Sequence, residues 1–579
     1  MAITDTSHET DAEAPAAPPP GPPDTPAPSG RAPGAGAGLD DHKLIGKLHL
    51  ALALVFLLAG GVVAMVLRTQ LAAPDLDLVA NVDYTRLLTL HGTYTVFLFL
   101  LPAWIGLATA LVPLQIGATR LAFPRLAPLG LGLFTAGGGM VLAAPLVKGE
   151  VLGTGWTLGS LVARRSQAPG DGPELLMLGL MLVGAAVIVT AINIIATIVL
   201  LRAPGLTLRR VPPFSFSVLV SCAMLLLATP VLLVGLGLLL ADHHYGGGVF
   251  DGGRGGNPLV WARLFWFFAY PAMWALVLPA FGVLGEIVPV FTRTRLGGNR
   301  AGHAMATGAM VAIGALAFVG WGSQLPGDPS LPRWFFSATS LAILGPVFVL
   351  LLTCLASLRL GRPHLGAPLL GGLGVAAVVL LGLPGAAIAA VAPTSRMGNG
   401  TYWTVAVQHS LFFGAATIGV LAAVVYWAPK LWGRRLPQGA AVAGLGGVLL
   451  GTLVMDLSMY VLGLQQMPRH TPRYPTHESW QAANLIATAG GYLVGLGLLA
   501  FLAGMVGVVL RRRGHVTDGA TDGVADGAPD GEPSDADPWQ GHTLEWATAS
   551  PAPLHNFDVL PEVRSERPLL DRREAGAAV

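Results

Sequence analysis

Long apolar segments without Asp, Glu, Lys or Arg recur along the chain. Twelve of them have about 20 residues or more, which at roughly 1.5 Å per residue is enough to cross a hydrocarbon core of about 30 Å. They cover residues 48–67, 87–119, 126–147, 175–201, 211–241, 264–285, 301–327, 334–358, 365–395, 397–429, 436–455 and 479–510. An open strand would leave backbone groups unpaired in lipid, so these segments must be helices. We therefore predict an all-α, polytopic membrane protein with twelve transmembrane helices within residues 43–513.

The charged residues between the apolar segments predict an orientation. When Glu286 and Asp456 are counted with the apolar segments that they adjoin, five alternate connectors contain basic residues and no acid, whereas the other six mix eleven basic with ten acidic residues. The basic connectors contain Arg120, Arg125, Arg202, Arg209, Arg210, Arg293, Arg295, Arg300, Arg359, Arg362, Lys430, Arg434 and Arg435. Connectors of this kind face the cytoplasm under the positive-inside rule. We expect a multi-pass protein of the plasma (inner) membrane with both termini in the cytoplasm.

Composition adds two tails to this picture. Only 11% of the residues are charged and 53% are hydrophobic, which excludes an ordinary soluble protein. Residues 1–42 are rich in Pro and Ala, and residues 514–579 contain thirteen acids and four arginines. We expect both tails to be disordered in the cytoplasm. Two cysteines are too few for a disulfide framework or a thiolate metal cluster.

Two of the fourteen histidines lie well inside apolar segments, His91 in the second and His409 in the tenth. An imidazole in lipid is costly and usually functional, although an interhelical hydrogen bond would also satisfy it. Both belong to even-numbered helices, which in the predicted topology start at the outer face, so both lie in the outer half of the membrane. Two imidazoles that face each other at similar depth can close both axial positions of a low-spin, electron-transferring haem.

The chain resembles subunit I of the haem–copper oxidases over about residues 43–510. The first helix with its flanks reads DHKLIGKLHLALALVFLLAGGVVAMVLRTQLAAP, and the second reads LLTLHGTYTVFLFLLP followed by LVPLQIGATRLAFPRL. Further similar segments are GTGWT at 153–157, LFWFFAYPAMWALVLPAFG at 264–282, WFFSATS at 334–340, GTYWTVAVQHSLFFGA at 400–415 and GLQQMPRHTPRYP at 463–475. Their order and spacing imply the twelve-helix fold of that family.

The resemblance implies roles for individual residues. His91 and His409 match the two axial ligands of the family's low-spin haem, and Arg68 matches an arginine beside a peripheral substituent of that haem, of a or b type. Trp156 lies in the retained GTGWT segment. Arg469 matches the first of two arginines that bind haem propionates, and His470 stands where the second is found. For Arg68 and Arg469 the alternative is a cation at the membrane interface.

The family's oxygen-reducing centre also contains a second haem with one histidine ligand and a copper ion held by three histidines. Tyr270 and Trp274 occupy the place of the first and last residues of its His-Pro-Glu-Val-Tyr motif. Ser323 and Gln324 replace a histidine pair, and Val407 replaces the ligand of the second haem. The complete set needs six intramembrane histidines, and this chain offers two. Serine, amide and tyrosine groups are poor ligands for Cu(I), so we expect no copper.

The proton routes implied by the resemblance have changed as well. Arg120 stands at the position of the carboxylate where one route begins, and Ala272 at the position of the intramembrane glutamate. The position of the family's lysine falls near Leu350. Two acids do interrupt apolar helices, Glu286 in the sixth and Asp456 in the eleventh. Such carboxylates suggest a proton or cation site, or they are satisfied by a neighbouring serine or backbone group.

These observations favour a cytochrome c oxidase subunit I-like protein of a respiratory chain that carries one bis-histidine low-spin haem and does not itself reduce oxygen. We expect other respiratory membrane subunits, or a second oxidase-like subunit, as partners, and no nucleic acid; the sequence names no electron donor. Two alternatives stay open. One is a functional terminal oxidase subunit that reduces oxygen and translocates protons. The other is a haem-free transporter or scaffold in which His91, His409 and Asp456 handle ions.

Overall fold

A computed structural model describes residues 38–147, 153–325, 327–391, 400–476, 479–510 and 537–576. Twelve helices in it are long and apolar enough to cross a membrane. They are α1 (His42–Gln70), α2 (Asn81–Ile116), α3 (Leu126–Leu146), α4 (Gly172–Leu200), α5 (Pro213–Tyr245), α6 (Pro258–Thr292), α7 (Arg300–Gln324), α8 (Arg333–Leu360), α9 (Ala367–Ala390), α10 (Tyr402–Trp432), α11 (Gln438–Leu464) and α12 (Gln481–Leu510). The prediction of an all-α membrane bundle with twelve spans is confirmed.

Three helices form the centre of the bundle. In α2, α6 and α10 the most apolar windows are 89%, 100% and 83% buried within the protein, against 22–50% for the other nine spans. α6 remains helical through Pro271, Pro279 and Pro289, all of which are buried. The residues expected to carry chemistry are concentrated in these central helices.

Small residues allow neighbouring helices to pack closely. A Cβ atom on Gly46 of α1 would lie 2.5 Å from the carbonyl oxygen of Gly106 on α2. A Cβ atom on Gly451 of α11 would lie 2.6 Å from the carbonyl oxygen of Gly490 on α12. Close backbone approach through glycine is the usual way in which membrane helices gain van der Waals contact.

The five basic connectors lie at the same end of the bundle as the start of α1, and we call this the basic end. The segment 537–576, which we call the C-terminal segment, packs against it. Asn556 donates to the carbonyl oxygen of Ala118 at 2.7 Å, and Lys430 donates to that of Thr548 at 2.6 Å. Arg295 pairs with Glu566 at 2.9 Å.

The C-terminal segment corrects the prediction of a disordered tail over 514–579. It includes a 3₁₀ turn at Leu544–Ala547 and a short helix, α13, at Pro568–Gly576. The prediction from the number of acidic residues did not anticipate that Leu544, Trp546 and Leu570 are buried. These apolar side chains lie among polar residues and form no long apolar segment. Residues 1–37, 514–536 and 577–579 of the predicted tails lie outside the described residues.

At the opposite end, the connector between α11 and α12 folds back over the bundle. The backbone N–H of Tyr402, at the start of α10, donates to the carbonyl oxygen of Met467 at 3.0 Å. The N–H of Asp75, beyond the end of α1, donates to the carbonyl oxygen of Tyr474 at 3.1 Å. These bonds draw the connector towards the end of α1 and the start of α10.

Candidate functional site: two histidines in the central helices

His91 lies in the third turn of α2, just before a π-helical stretch at Tyr94–Leu100. Its Nδ1 atom is 3.1 Å from the carbonyl oxygen of Gly60 on α1, so the imidazole donates a proton there in its neutral form. π-Helical segments inside longer helices are frequent at functional sites, because they shift the register of the side chains that follow. The hydrogen bond to α1 fixes the tautomer and leaves Nε2 as the free ring nitrogen.

His409 lies inside a second π-helical stretch, Gln408–Gly414 of α10. Its Nδ1 atom is 2.9 Å from the carbonyl oxygen of Val405, one turn earlier. The Nε2 atom of this imidazole is therefore also the free ring nitrogen. Metal-binding histidines commonly donate their other ring N–H to a backbone carbonyl, which holds the ring and raises its basicity.

Shared neighbours link the surroundings of the two imidazoles. Trp156 packs against Gly92, the residue after His91, and also contacts Phe413, whose ring contacts that of His409. Both imidazoles keep some accessible surface although they lie deep in central helices of the bundle. The donor set, two neutral imidazoles with free Nε2 atoms, fits the axial positions of a low-spin haem.

Arg68, at the end of α1, is only 7% exposed. Its Nη2 donates to Oδ1 of Asn484 on α12 at 3.1 Å. Among the described residues its Nε has no hydrogen-bond partner, which leaves one buried donor for a group bound beside it. The side chain is thus fixed inside the protein rather than extended to a membrane interface.

Trp156 packs between the central helices. Its side chain lies against Gly92, where a Cβ atom would be only 2.7 Å from that of Trp156. The indole makes edge contacts with Phe265 of α6, at a centroid distance of 5.4 Å, and with Phe413 of α10, at 6.2 Å. Phe413 in turn makes an edge contact with the His409 ring. Trp156 therefore connects the surroundings of both histidines.

Arg469 and His470 lie on the connector that covers this end of the bundle. The backbone N–H of Arg469 donates to the carbonyl oxygen of Gly400 at 2.9 Å, next to the start of α10. Burial lowers the pKa of the Arg469 guanidinium from its ordinary value. Burial, and then the charge of Arg469, lower the pKa of the His470 imidazole. An anionic group bound here would oppose both effects.

The positions that the resemblance matches to the family's oxygen-reducing centre are occupied by packed side chains. Tyr270 and Trp274 are 5% and 1% exposed on α6. The Tyr270 hydroxyl donates to Oγ of Ser340 at 3.4 Å. The Trp274 ring makes an edge contact with Phe412 of α10 at 5.0 Å. Neutral hydroxyl and aromatic groups occupy this part of the bundle.

The remaining positions of that centre offer no better ligands. Ser323 and Gln324 form the last turn of α7, where the amide nitrogen of Gln324 is 3.3 Å from the hydroxyl oxygen of Ser323. Val407 is buried in an apolar cluster with Met459 and Tyr460. Across the part of the chain that the structure describes, no group of three or more His, Cys, Asp or Glu side chains is arranged to hold a metal ion.

The two intramembrane acids differ in their surroundings. Glu286 pairs with Arg567 of the C-terminal segment at 2.7 Å, and neither side chain is exposed. The suggestion that a serine or a backbone group alone satisfies Glu286 is therefore corrected. Asp456 is fully buried, and neither of its carboxyl oxygens has a hydrogen-bond partner among the described residues.

Sequence reasoning missed several contributors to the site. Asn484, the partner of Arg68, is a single amide near the start of the apolar segment 479–510, and this amide was the available signal. The hydrogen bond from His91 to the Gly60 carbonyl could not be predicted, because a backbone carbonyl is present at every residue. The two π-helical stretches, one directly after His91 and one containing His409, were not predicted either.

The fold and the two central histidines define a polytopic, all-α membrane bundle with paired imidazole donors, and comparison with known proteins identifies its family. Residues 44–493 match the family described as Cytochrome C and Quinol oxidase polypeptide I. The chain belongs to this family.

Individual relatives span nearly the whole chain. A putative cytochrome c oxidase subunit 1-beta of Streptomyces coelicolor is 35% identical over 94% of this chain and 91% of its own length. The cytochrome c oxidase subunit 1 of Bacillus subtilis is 33% identical over 93% of this chain and 82% of its own length. The quinol oxidase subunit 1 of the same organism is 32% identical over 92% of this chain and 79% of its own length.

A solved structure of a haem–copper terminal oxidase dimer has the same fold. It superposes with a TM-score of 0.67 at 16% identity and covers 82% of this chain and 84% of its own. The expected subunit I bundle is thereby confirmed.

Proposed function

We propose that this chain is a subunit I homologue that holds one bis-histidine low-spin haem and passes electrons within a respiratory membrane complex without itself reducing oxygen. In a bacterial cell it would reside in the plasma membrane, with both termini in the cytoplasm and with other respiratory subunits as partners. The electron donor follows from none of the residues described.

One observation carries the proposal: both central imidazoles bind a backbone carbonyl through Nδ1 and keep Nε2 free. A low-spin haem with two such ligands supplies reversible one-electron Fe(III)/Fe(II) chemistry. His91 and His409 would hold it from two helices, and their Nδ1–H bonds would orient the rings. Arg68 would offer its unpartnered Nε to a peripheral substituent, and Arg469 with His470 a positive field to propionates.

The absence of oxygen reduction is argued from the donor set. A copper ion that cycles through Cu(I) needs imidazole or sulfur ligands, and the residues at the three matched positions are Tyr270, Ser323 and Gln324. Val407 has no lone pair to offer to a second haem iron. We propose that this chain binds no copper and no five-coordinate haem.

The first experiment is a dithionite-reduced minus oxidised spectrum of the purified protein, with haem and copper measured per chain on the same sample. One low-spin haem, an unchanged spectrum with carbon monoxide and no copper are the expected results. A preparation without haem would contradict the proposal and favour the transporter or scaffold.

Substitution of one ligand tests the site directly. His409→Ala is expected to abolish the low-spin spectrum, because a single remaining imidazole leaves the iron five-coordinate or unbound. The control is His244→Ala, since this histidine is exposed in the last turn of α5, outside the central helices. If His409→Ala kept the parent spectrum, the assignment of the axial ligands would be wrong.

A functional terminal oxidase is the second candidate, and the family match over most of the chain favours it. It predicts two haems, a band that shifts with carbon monoxide, and copper in stoichiometric amount. The same sample therefore distinguishes the two functions.

A further inference from the structure

The C-terminal segment inserts a charged side chain into the end of the bundle. Arg567 is 0% exposed, its Nη1 lies 2.7 Å from Oε2 of Glu286, and its Nη2 donates to the carbonyl oxygen of Gly285 at 2.8 Å. The other oxygen of Glu286 accepts the backbone N–H of Phe214 at 3.3 Å. A helix of the bundle and a residue 281 positions later in the chain thus share one buried ion pair.

A second buried acid of the segment contacts two further helices. Glu545 is 0% exposed, and its Oε1 accepts hydrogen bonds from Gln115 of α2 and Trp427 of α10, both at 3.0 Å. Gln115 also accepts the hydroxyl proton of Ser215, on α5, at 2.7 Å. Gln115, Ser215, Glu286 and Trp427 form a polar layer across the inner helices, and we call it the terminal polar layer.

The outer contacts of the segment are electrostatic and match its composition. Arg295 of the basic end pairs with Glu566 at 2.9 Å, and it also contacts Asp571. Arg293 donates to the carbonyl oxygen of Trp539 at 2.9 Å. The acids that the sequence contains in excess here are partly used to bind basic connectors of the same chain.

We propose that the C-terminal segment is a built-in closure of the basic end, which keeps water from the terminal polar layer and is held in place by the Arg567–Glu286 pair. Removal of one partner of a buried ion pair strongly destabilises the folded arrangement, because the other charge is left uncompensated. The pair thus makes docking of the segment depend on both charges. This proposal does not depend on whether haem is bound.

Ser215→Cys provides a reporter, because Ser215 is 0% exposed within the layer and the substitution is nearly isosteric. In the full-length protein we expect the thiol to resist a water-soluble maleimide. Adding Arg567→Met should raise the labelling rate on the order of tenfold or more, since the unpaired Glu286 favours the undocked state. Protein with Ser215 intact gives the background from Cys222 and Cys354.

The control is Arg564→Met. This arginine is exposed, pairs with Glu562 and lies only three residues before Arg567. The control substitution should leave the reporter protected. The double variant Glu286→Gln/Arg567→Met removes both charges and should restore protection. If Arg567→Met does not fold, Glu286→Gln replaces it, because it leaves Arg567 unpaired and should also open the layer.

Two results would overturn the proposal. One is a reporter that is labelled equally fast in the parent and in the single-charge variants, since the segment would then not exclude water. The other is a double variant that is labelled as fast as the single-charge variants, since charge pairing would then not be what holds the segment.

Discussion

At the scale of single residues, the buried acids show how a charge is tolerated in a membrane helix. Glu286 has the guanidinium of Arg567 at 2.7 Å, whereas Asp456 has no hydrogen-bond partner among the described residues. A buried carboxyl without a partner keeps the full cost of leaving water, about 1–3 kcal/mol. Asp456 is therefore a residue that reduces the stability of the bundle unless a bound group satisfies it.

Asp456→Ala tests this account. Removal of the unpartnered carboxyl should gain about 1–3 kcal/mol and offset a small cavity that costs on the order of 1 kcal/mol. We expect the thermal unfolding temperature in detergent to stay equal or to rise. Ser458→Ala, which removes a hydroxyl that donates to the Val454 carbonyl at 2.9 Å, is the control and should not stabilise. A clear loss of stability in Asp456→Ala would mean that its carboxyl is bound.

At the scale of helices, close packing positions the residues of the proposed haem site. α11 and α12 approach through Gly447, Gly451, Gly490 and Gly497. α12 carries Asn484, which fixes Arg68. Apolar helices have no hydrophobic reason to leave lipid for one another, so small residues and van der Waals contact decide which faces meet.

Gly451→Val should separate α11 from α12, because its Cβ would lie 2.6 Å from both the Gly490 carbonyl oxygen and the Val494 nitrogen. We expect a loss of about 1–3 kcal/mol or more, which is typical of overpacking. The matched control is Gly446→Val on the same helix, where the nearest atom to a Cβ is 3.9 Å away on Leu370. Equal thermal stability of the two variants would contradict the packing argument.

At the scale of the whole molecule, charge distribution and fold agree on one asymmetry. The basic connectors meet at one end, and the acids of the C-terminal segment pack against that end. The arrangement predicts which end faces the cytoplasm, because translocation disfavours short basic loops.

Cysteine labelling in intact cells tests the orientation. Ser166 and Thr207 are exposed on connectors at opposite ends of the bundle. A membrane-impermeant thiol reagent should label Ser166→Cys in intact cells and Thr207→Cys only after permeabilisation. The unsubstituted chain, whose two cysteines lie within transmembrane helices, provides the baseline. The reverse pattern would invert the predicted topology.

The sequence by itself determined which segments form membrane-spanning helices and which two histidines lie well inside them. Uninterrupted apolar length specifies a membrane helix because backbone groups have no other way to be satisfied in lipid. An imidazole well inside an apolar segment is easily recognised as a candidate functional group, because a polar side chain is costly in lipid. Family resemblance then assigned His91 and His409 as a pair, and Trp156 contacts both Gly92, next to His91, and Phe413, which contacts His409.

Only the tertiary structure decided which helices are central and where the C-terminal segment lies. The mean hydropathies of α2, α6 and α10 are 2.1, 1.9 and 2.0, within the 1.6–2.8 of the other spans, although these three are far more buried. Lipid chains are as apolar as a protein core, so hydropathy cannot distinguish burial in one from burial in the other. The sequence likewise places Arg567 in a polar tail. Its burial depends on Glu286, which lies 281 positions earlier in the chain and is not indicated by any local sequence pattern.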